Sequence, residues 1–221
     1  SALASCVVDQ SLQPDRIVLV VNGVAIGEAE QAYLGGLSTQ WPRLHVLTTP
    51  VRGLVFSLNL GLHACRAPLV ARMDADDIAL PGRFERQVAW MRVHPETTIL
   101  GTGYQRIDPQ GRLLNVVTLP AGDAAIRRRL LWTNPLCHPT VMYRREAILA
   151  LGGYHGTLHA EDYDLWVRAS RLEGLRFANL PDICLNYQAP PSGEARRSRQ
   201  AYASVLSTQV REIVNGGGPM W

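Results

Sequence analysis

Apolar positions along this chain alternate between short continuous runs and stretches with helical spacing. Leu3, Cys6, Val7 and Leu12 mark the inner face of a first helix that stops near Pro14. The run Ile17-Val18-Leu19-Val20-Val21 then reads as a strand buried on both faces, closed by a turn at Asn22-Gly23. A helix follows over residues 28–34, a short strand at His45-Val46-Leu47, a helix over residues 54–64, and a buried strand at Leu69-Val70-Ala71-Arg72-Met73. Strand and helix alternating at this spacing predict an α/β fold with a mostly parallel central sheet, flanked by helices and joined by right-handed crossovers.

The second half is more varied. Pro81 suits the first position of a helix, Phe84, Val88 and Met91 share one face, and His94-Pro95 ends it. Asp108-Pro109-Gln110-Gly111 has the composition of a hairpin turn, Asp123 caps the next helix, and Thr140-Val141-Met142-Tyr143 forms a strand. A helix ends at Gly152-Gly153, and another spans residues 161–172 with Leu165, Trp166, Ala169 and Leu172 inward and Gly174 after it. Residues 194–214 read as one long helix, so the expected organisation is a domain over 1–190 and a helical tail over 191–221. No repeat interrupts this plan.

Composition narrows the function classes. A chain of 221 residues with 47% hydrophobic and 19% charged side chains can bury a sizeable core. It contains no apolar run long enough to span a bilayer and no signal-peptide layout, which points to the cytoplasm, including the inner face of the membrane. The 4 cysteines, Cys6, Cys65, Cys137 and Cys184, form no close pair and read as reduced core thiols. Every Lys/Arg-type cation is an arginine, which removes chemistry that needs a lysine Schiff base or a phosphate-binding lysine. A net charge of +3 without interleaved aromatic and basic positions argues against nucleic acid. Arg127-Arg128-Arg129 and Arg196-Arg197-Ser198-Arg199 read as solvated helix faces, or alternatively as contacts to an anionic membrane surface or a phosphorylated acceptor.

Chemistry concentrates at Asp74-Ala75-Asp76-Asp77, where the strand ending at Met73 gives way to a loop. In open α/β sheets ligands collect at the carboxyl ends of strands. Crowded carboxylates repel unless a cation joins them, and hard oxygen ligands suit Mg²⁺ or Mn²⁺. Gly53-Leu54, Ser57-Leu58-Asn59-Leu60-Gly61-Leu62, Ala71-Arg72-Met73 with the acidic tetrad, and Pro81-Gly82-Arg83-Phe84-Glu85-Arg86-Gln87 resemble bacterial family 2 glycosyltransferases of the GT-A fold. Asn134-Pro135, His138-Pro139-Thr140-Val141-Met142, Gly152-Gly153-Tyr154 and Ala160-Glu161-Asp162-Tyr163-Asp164-Leu165-Trp166 continue the resemblance in order.

That resemblance implies an inverting, metal-assisted transfer from a nucleotide-diphosphate sugar, a UDP- or dTDP-sugar, to a saccharide or lipid-linked acceptor in bacterial surface glycan synthesis. It implies that Asp74 and Asp76 hold the metal and the donor diphosphate, with Arg72 also on the donor side; Asn59 reads either as a nucleotide contact or as a residue that only caps structure. It makes Asp162 the base for the acceptor hydroxyl, with Glu161 helping to place the acceptor. A carboxylate neighbour raises a carboxyl pKa, whereas a helix N-terminus lowers it. Helix capping by the same acids is the bland alternative, and His138 before a proline reads more simply as a packing or turn residue.

Three departures qualify the match. Family members begin with a further strand, which this sequence lacks, so an N-terminally incomplete domain with an open slot in its sheet is expected. Asn22-Gly23-Val24 stands where Asp-Asp-Gly-Ser is common, so a base-reading aspartate is not carried over. Tyr187-Gln188-Ala189-Pro190 replaces a Tyr-Arg-x-His type segment, so a late metal or phosphate contact is not carried over either. The competing function is a non-catalytic nucleotide-sugar-binding or scaffold protein with a degenerate version of the fold. A sugar nucleotidylyltransferase would need an N-terminal glycine-rich loop and basic phosphate contacts that this sequence does not offer.

Overall fold

The computed structural model describes residues 2–7, 9–23, 27–156 and 160–189; the tail helix expected over residues 194–214 lies outside them. The first half runs α1 (Ala2–Val7), β1 (Ile17–Asn22), α2 (Glu28–Gln40), β2 (Leu44–Thr49), α3 (Leu54–Ala64), β3 (Leu69–Ala71) and β4 (Ile78–Ala79). The second runs α4 (Arg83–Val93), β5 (Thr97–Ile107), β6 (Leu113–Val117), α5 (Asp123–Leu130), a 3-10 turn (His138–Thr140), β7 (Met142–Arg144), α6 (Arg145–Ala150), α7 (Glu161–Ser170) and β8 (Arg176–Gln188).

The expectation of a mostly parallel sheet is corrected. β1 and β2 pair in parallel as a separate ribbon. The larger sheet has the order β3-β7-β5-β8-β4 with β6 off β5, and only β5 and β8 run parallel in it. β5 and β8, two long strands whose pattern does not announce them, take β6, β7 and β4 as antiparallel neighbours. Thr97, Thr98, Gly101, Thr102 and Gly103 interrupt the apolar run of β5, yet its glycines are functional in packing, since a Cβ at Gly103 would meet the carbonyls of Asp182 and Pro181 at 3.1 and 3.3 Å.

β1 is half-buried along its whole length rather than buried on both faces. It pairs with β2 alone among the described residues, and β3 pairs with β7 alone, so each keeps one unpaired edge. α3 covers one face of β1, with Gly61 lying against Val20.

Helix boundaries shift for local reasons. α1 ends at Val7 and Leu12 is exposed, because the Gln10 side chain bonds the Ser5 and Leu80 carbonyls and accepts from the Phe84 amide, folding the chain onto the start of α4. Pro81 sits in the turn before α4, and Gly82 at φ 78° provides the left-handed residue that releases Arg83 into the helix. Asp123 is the first residue of α5 and Gly122 its cap; the Asp123 carboxylate instead accepts from the Phe177 amide at 2.9 Å and from Arg127. The segment Thr140–Tyr143 divides into the 3-10 turn and β7. α7 stops at Ser170, leaving Leu172 exposed, while Leu165, Trp166 and Ala169 are buried as their spacing predicts.

Successive residues of β5 serve opposite faces of the sheet. Ile99 joins Ile126, Leu130, Leu165, Trp166 and Phe177 under α5 and α7, and Leu100 joins Phe84, Met91, Met142 and Ala178 under α4. The ends of β3 and β8 and the start of α7 emerge between these two cores, and the site is built there. No helix among the described residues is long and apolar enough to cross a membrane.

Candidate functional site

The acidic loop is held from several directions. β3 ends in register with β7, and the pairing continues one step as the Arg72 amide bonds the Val141 carbonyl at 2.8 Å. Arg83, fully buried on α4, donates to the Arg72 carbonyl at 2.8 Å and to Met73 Sδ at 3.2 Å. Its Nε bonds Gln87, and the Gln87 amide donates to the carbonyls of Thr140 at 2.9 Å and Leu100 at 3.2 Å. Burial pushes the Arg83 pKa down to about 10, so it is still a cation at neutral pH. Asp77, also fully buried, accepts the Gln188 amide at 2.9 Å and so ties the loop to the end of β8.

Within this frame Asp74, Asp76 and Asp77 each bring a carboxylate oxygen within 4.8 Å of the others. The three differ in access: Asp76 is exposed, Asp74 half-buried and Asp77 buried. Arg72 Nη2 meets Asp74 Oδ1 at 2.5 Å, and the guanidinium is buried. Its Nε and Nη1 have no hydrogen-bond partner among the described residues, an arrangement that costs free energy unless an acceptor comes to them. Burial by itself would lower the Arg72 pKa; the Asp74 carboxylate, with Tyr154 and Asp162 adding to it, holds it above the ordinary value.

Asp162 starts α7 beside the buried Glu161. Its Oδ2 accepts from Asn134 Nδ2 at 2.6 Å and its Oδ1 from the Tyr163 amide at 2.7 Å, which fixes the plane of the carboxylate. Asp164 on the same turn serves the scaffold. It takes Arg168 Nε at 2.8 Å, and Arg168 reaches the Leu151 and Gly153 carbonyls at 2.6 and 2.7 Å, locking the glycine turn to α7.

The acidic loop and the start of α7 share one electrostatic neighbourhood. The Cys137 thiol is pushed up by burial first and then by Asp77, Asp162 and Asp74, with Arg72 opposing them. Four sequence-predicted or adjacent charges from distant parts of the chain therefore act on a single sulfur. A shallow groove on the outer side of α4, lined by Arg86, Ala89, Trp90, Val93, Leu180 and Asp182, contains none of them.

Asn59 and His138 both make structural contacts to Tyr154. Asn59 bonds the Tyr154 backbone twice, accepting from its N–H and donating to its carbonyl, both at 2.8 Å. This geometry staples α3 to the glycine turn, the structural role that the sequence left open for Asn59. His138 is buried, with Nε2 3.0 Å from the Tyr154 hydroxyl, and burial together with Arg72 lowers its pKa well below 6.5. It is a neutral packing residue. Conversely, Asn134, Arg83 and Gln87 stood in the resembling blocks without roles, and the only signal for them was a polar residue beside proline or on the apolar face of α4.

Residues 2–152 match the family model described as Glycosyl transferase family 2. The chain is 37% identical over 184 residues to the amylovoran biosynthesis glycosyltransferase AmsE of Erwinia amylovora, covering 81% of this chain and 66% of that one. It is 29% identical over 209 residues to the O-antigen biosynthesis glycosyltransferase WbnJ of Escherichia coli, covering 94% of this chain and 81% of that one. Among solved structures, S. aureus TarS 1-349 in complex with UDP-GlcNAc superposes with a TM-score of 0.68 at 19% identity, covering 97% of this chain and 61% of that one. The chain thus spans slightly less than two thirds of AmsE and of that TarS chain. The structural likeness shows the fold, that of the GT-A glycosyltransferases. On the match that runs through α1 to the glycine turn, the chain belongs to glycosyl transferase family 2.

Proposed function

We propose that this chain transfers a sugar from a UDP- or dTDP-sugar to a hydroxyl of a saccharide or lipid-linked acceptor, with inversion and with Mg²⁺ or Mn²⁺, in bacterial surface polysaccharide synthesis at the cytoplasmic face of the membrane. One observation carries the reading: a buried arginine, two of whose nitrogens have no partner among the described residues, pairs with Asp74 of a three-carboxylate cluster and also feels the oriented carboxylate of Asp162. The names of AmsE and WbnJ, and the UDP-GlcNAc in the TarS complex, support the polysaccharide setting and the nucleotide donor.

The donor set fits a hard divalent cation, since it is all carboxylate oxygen and its members lie close enough to share one ion. Asp74 and Asp76 would hold it, with Asp77 fixing the loop. Bound there, the ion supplies Lewis-acid neutralisation of charge on the departing diphosphate. Arg72 complements it: its spare N–H groups offer charge-assisted hydrogen bonds to diphosphate oxygens. Asp162, held by Asn134, accepts the proton of the acceptor hydroxyl. That oxygen bonds the anomeric carbon from the face opposite the diphosphate, and the breaking C–O bond leaves its electron pair on the diphosphate. Glu161 beside it shapes the acceptor side.

Replacing Asp162 by Asn keeps the size and the link to Asn134 but removes the base. Transfer should fall by about 10²- to 10⁴-fold, while nucleotide affinity changes little. Turnover equal to the unmodified protein would remove Asp162 from this role.

A further inference from the structure

The arginine triplet of α5 divides its labour. Arg127 turns inward: its Nε bonds Asp123 at 2.8 Å, its other nitrogens reach the carbonyls of Ser170 and Leu175, and it lies over the Phe177 ring. Arg128 and Arg129 are exposed and have no salt bridge among the described residues. Asp123, the one acid of this helix, is already committed to Arg127 and to the Phe177 amide. The acids of α7, which packs against α5, all stand in its first turn.

Beyond the helix the chain continues one more turn, with the Trp132 amide bonding the Arg129 carbonyl at 3.0 Å. Residues three and four apart on such a turn share a face, so Trp132 stands with Arg128 and Arg129. It is 73% exposed, although Ile126 and Leu130 on the other side are fully buried. An indole held in water beside two unneutralised guanidinium groups has the chemistry of a membrane-interface anchor: the ring suits the headgroup region and the cations suit anionic lipid. The corner is also next to the chemistry, because Asn134, two residues on, holds Asp162.

We propose that Arg128, Arg129 and Trp132 form a docking corner for an anionic lipid surface, which brings the Asp162 side of the site to the membrane. Its occupant is the lipid surface itself, and its link to acceptor delivery rests on the sugar-transfer reading above. Protein of the full 221-residue sequence should float with vesicles containing phosphatidylglycerol and much less with phosphatidylcholine alone. Each arginine is expected to contribute about fivefold in partitioning, so Arg128→Glu with Arg129→Glu should weaken it about twenty-five-fold or more. Trp132→Ser should weaken it too, and brominated lipid should quench the native protein more than Trp132→Phe.

Absence of binding by the native protein, or flotation unchanged in both variants, would overturn the proposal; the second result would assign binding elsewhere, such as the Arg196-Arg197-Arg199 cluster. Nucleotide binding in vesicle-free solution should be equal in native and variant protein. That measurement tests the sugar-transfer reading separately, since it can fail while flotation succeeds and the reverse.

Discussion

At the scale of single residues, the site depends on buried polar groups whose partners come from far along the chain. His138 illustrates how this couples to pH. Its folded-state pKa lies well below 6.5, because desolvation and the Arg72 cation both oppose a second charge there. As pH falls below about 6.5 the unfolded chain takes up a proton that the folded chain refuses, so stability is lost on acidification at up to about 1.4 kcal/mol per pH unit. His138→Gln keeps a polar partner for the Tyr154 hydroxyl without that proton. Urea unfolding from neutral to mildly acidic pH should show a shallower loss in the variant; equal slopes would mean that His138 is not the group responsible.

The elements show why some of this was legible in sequence and some was not. α3 and α7 follow from apolar spacing, with observed bounds close to the expected ones, and the turn at Asp108–Gly111 joining β5 to β6 follows from turn chemistry. β5 and β8 do not, since β5 disguises its apolar run with threonine and glycine that only its pairing with β8 explains. The acidic loop and Asp162 were readable as motifs. For Asn59 a motif position does not disclose that its amide meets the Tyr154 backbone N–H and carbonyl.

A prediction belongs to the joint between α6 and α7. Asp164 is fully buried and Arg168 partly so, and the pair closes the glycine turn through the Leu151 and Gly153 carbonyls. Arg168→Met strips the neighbouring carboxylate of its cation and should cost about 3–5 kcal/mol. Adding Asp164→Asn removes the buried charge that Arg168 had balanced and should recover part of it. Thermal or urea unfolding of the three proteins checks this; a single variant as stable as the parent would contradict it.

On the scale of the whole molecule, two cores on opposite faces of one mixed sheet carry three strand and helix ends to a common point. The fold is what makes distant residues neighbours: Arg83 and Gln87 connect α4 to the acidic loop and to the turn before β7, and Asn134 connects the loop after α5 to α7. The sequence motifs marked the acidic loop and Asp162 but not this wiring, because buried hydrogen bonds leave no periodic trace.

The account stands on the carboxylate cluster as the place where nucleotide and metal meet. Calorimetric titration with UDP and with dTDP, each with and without Mn²⁺, tests it most directly. Binding of one or both nucleotides should require the metal and should be lost in Asp76→Ala, which removes the exposed carboxylate of the cluster. Nucleotide binding that is absent, or that is the same without metal and in Asp76→Ala, would contradict the account.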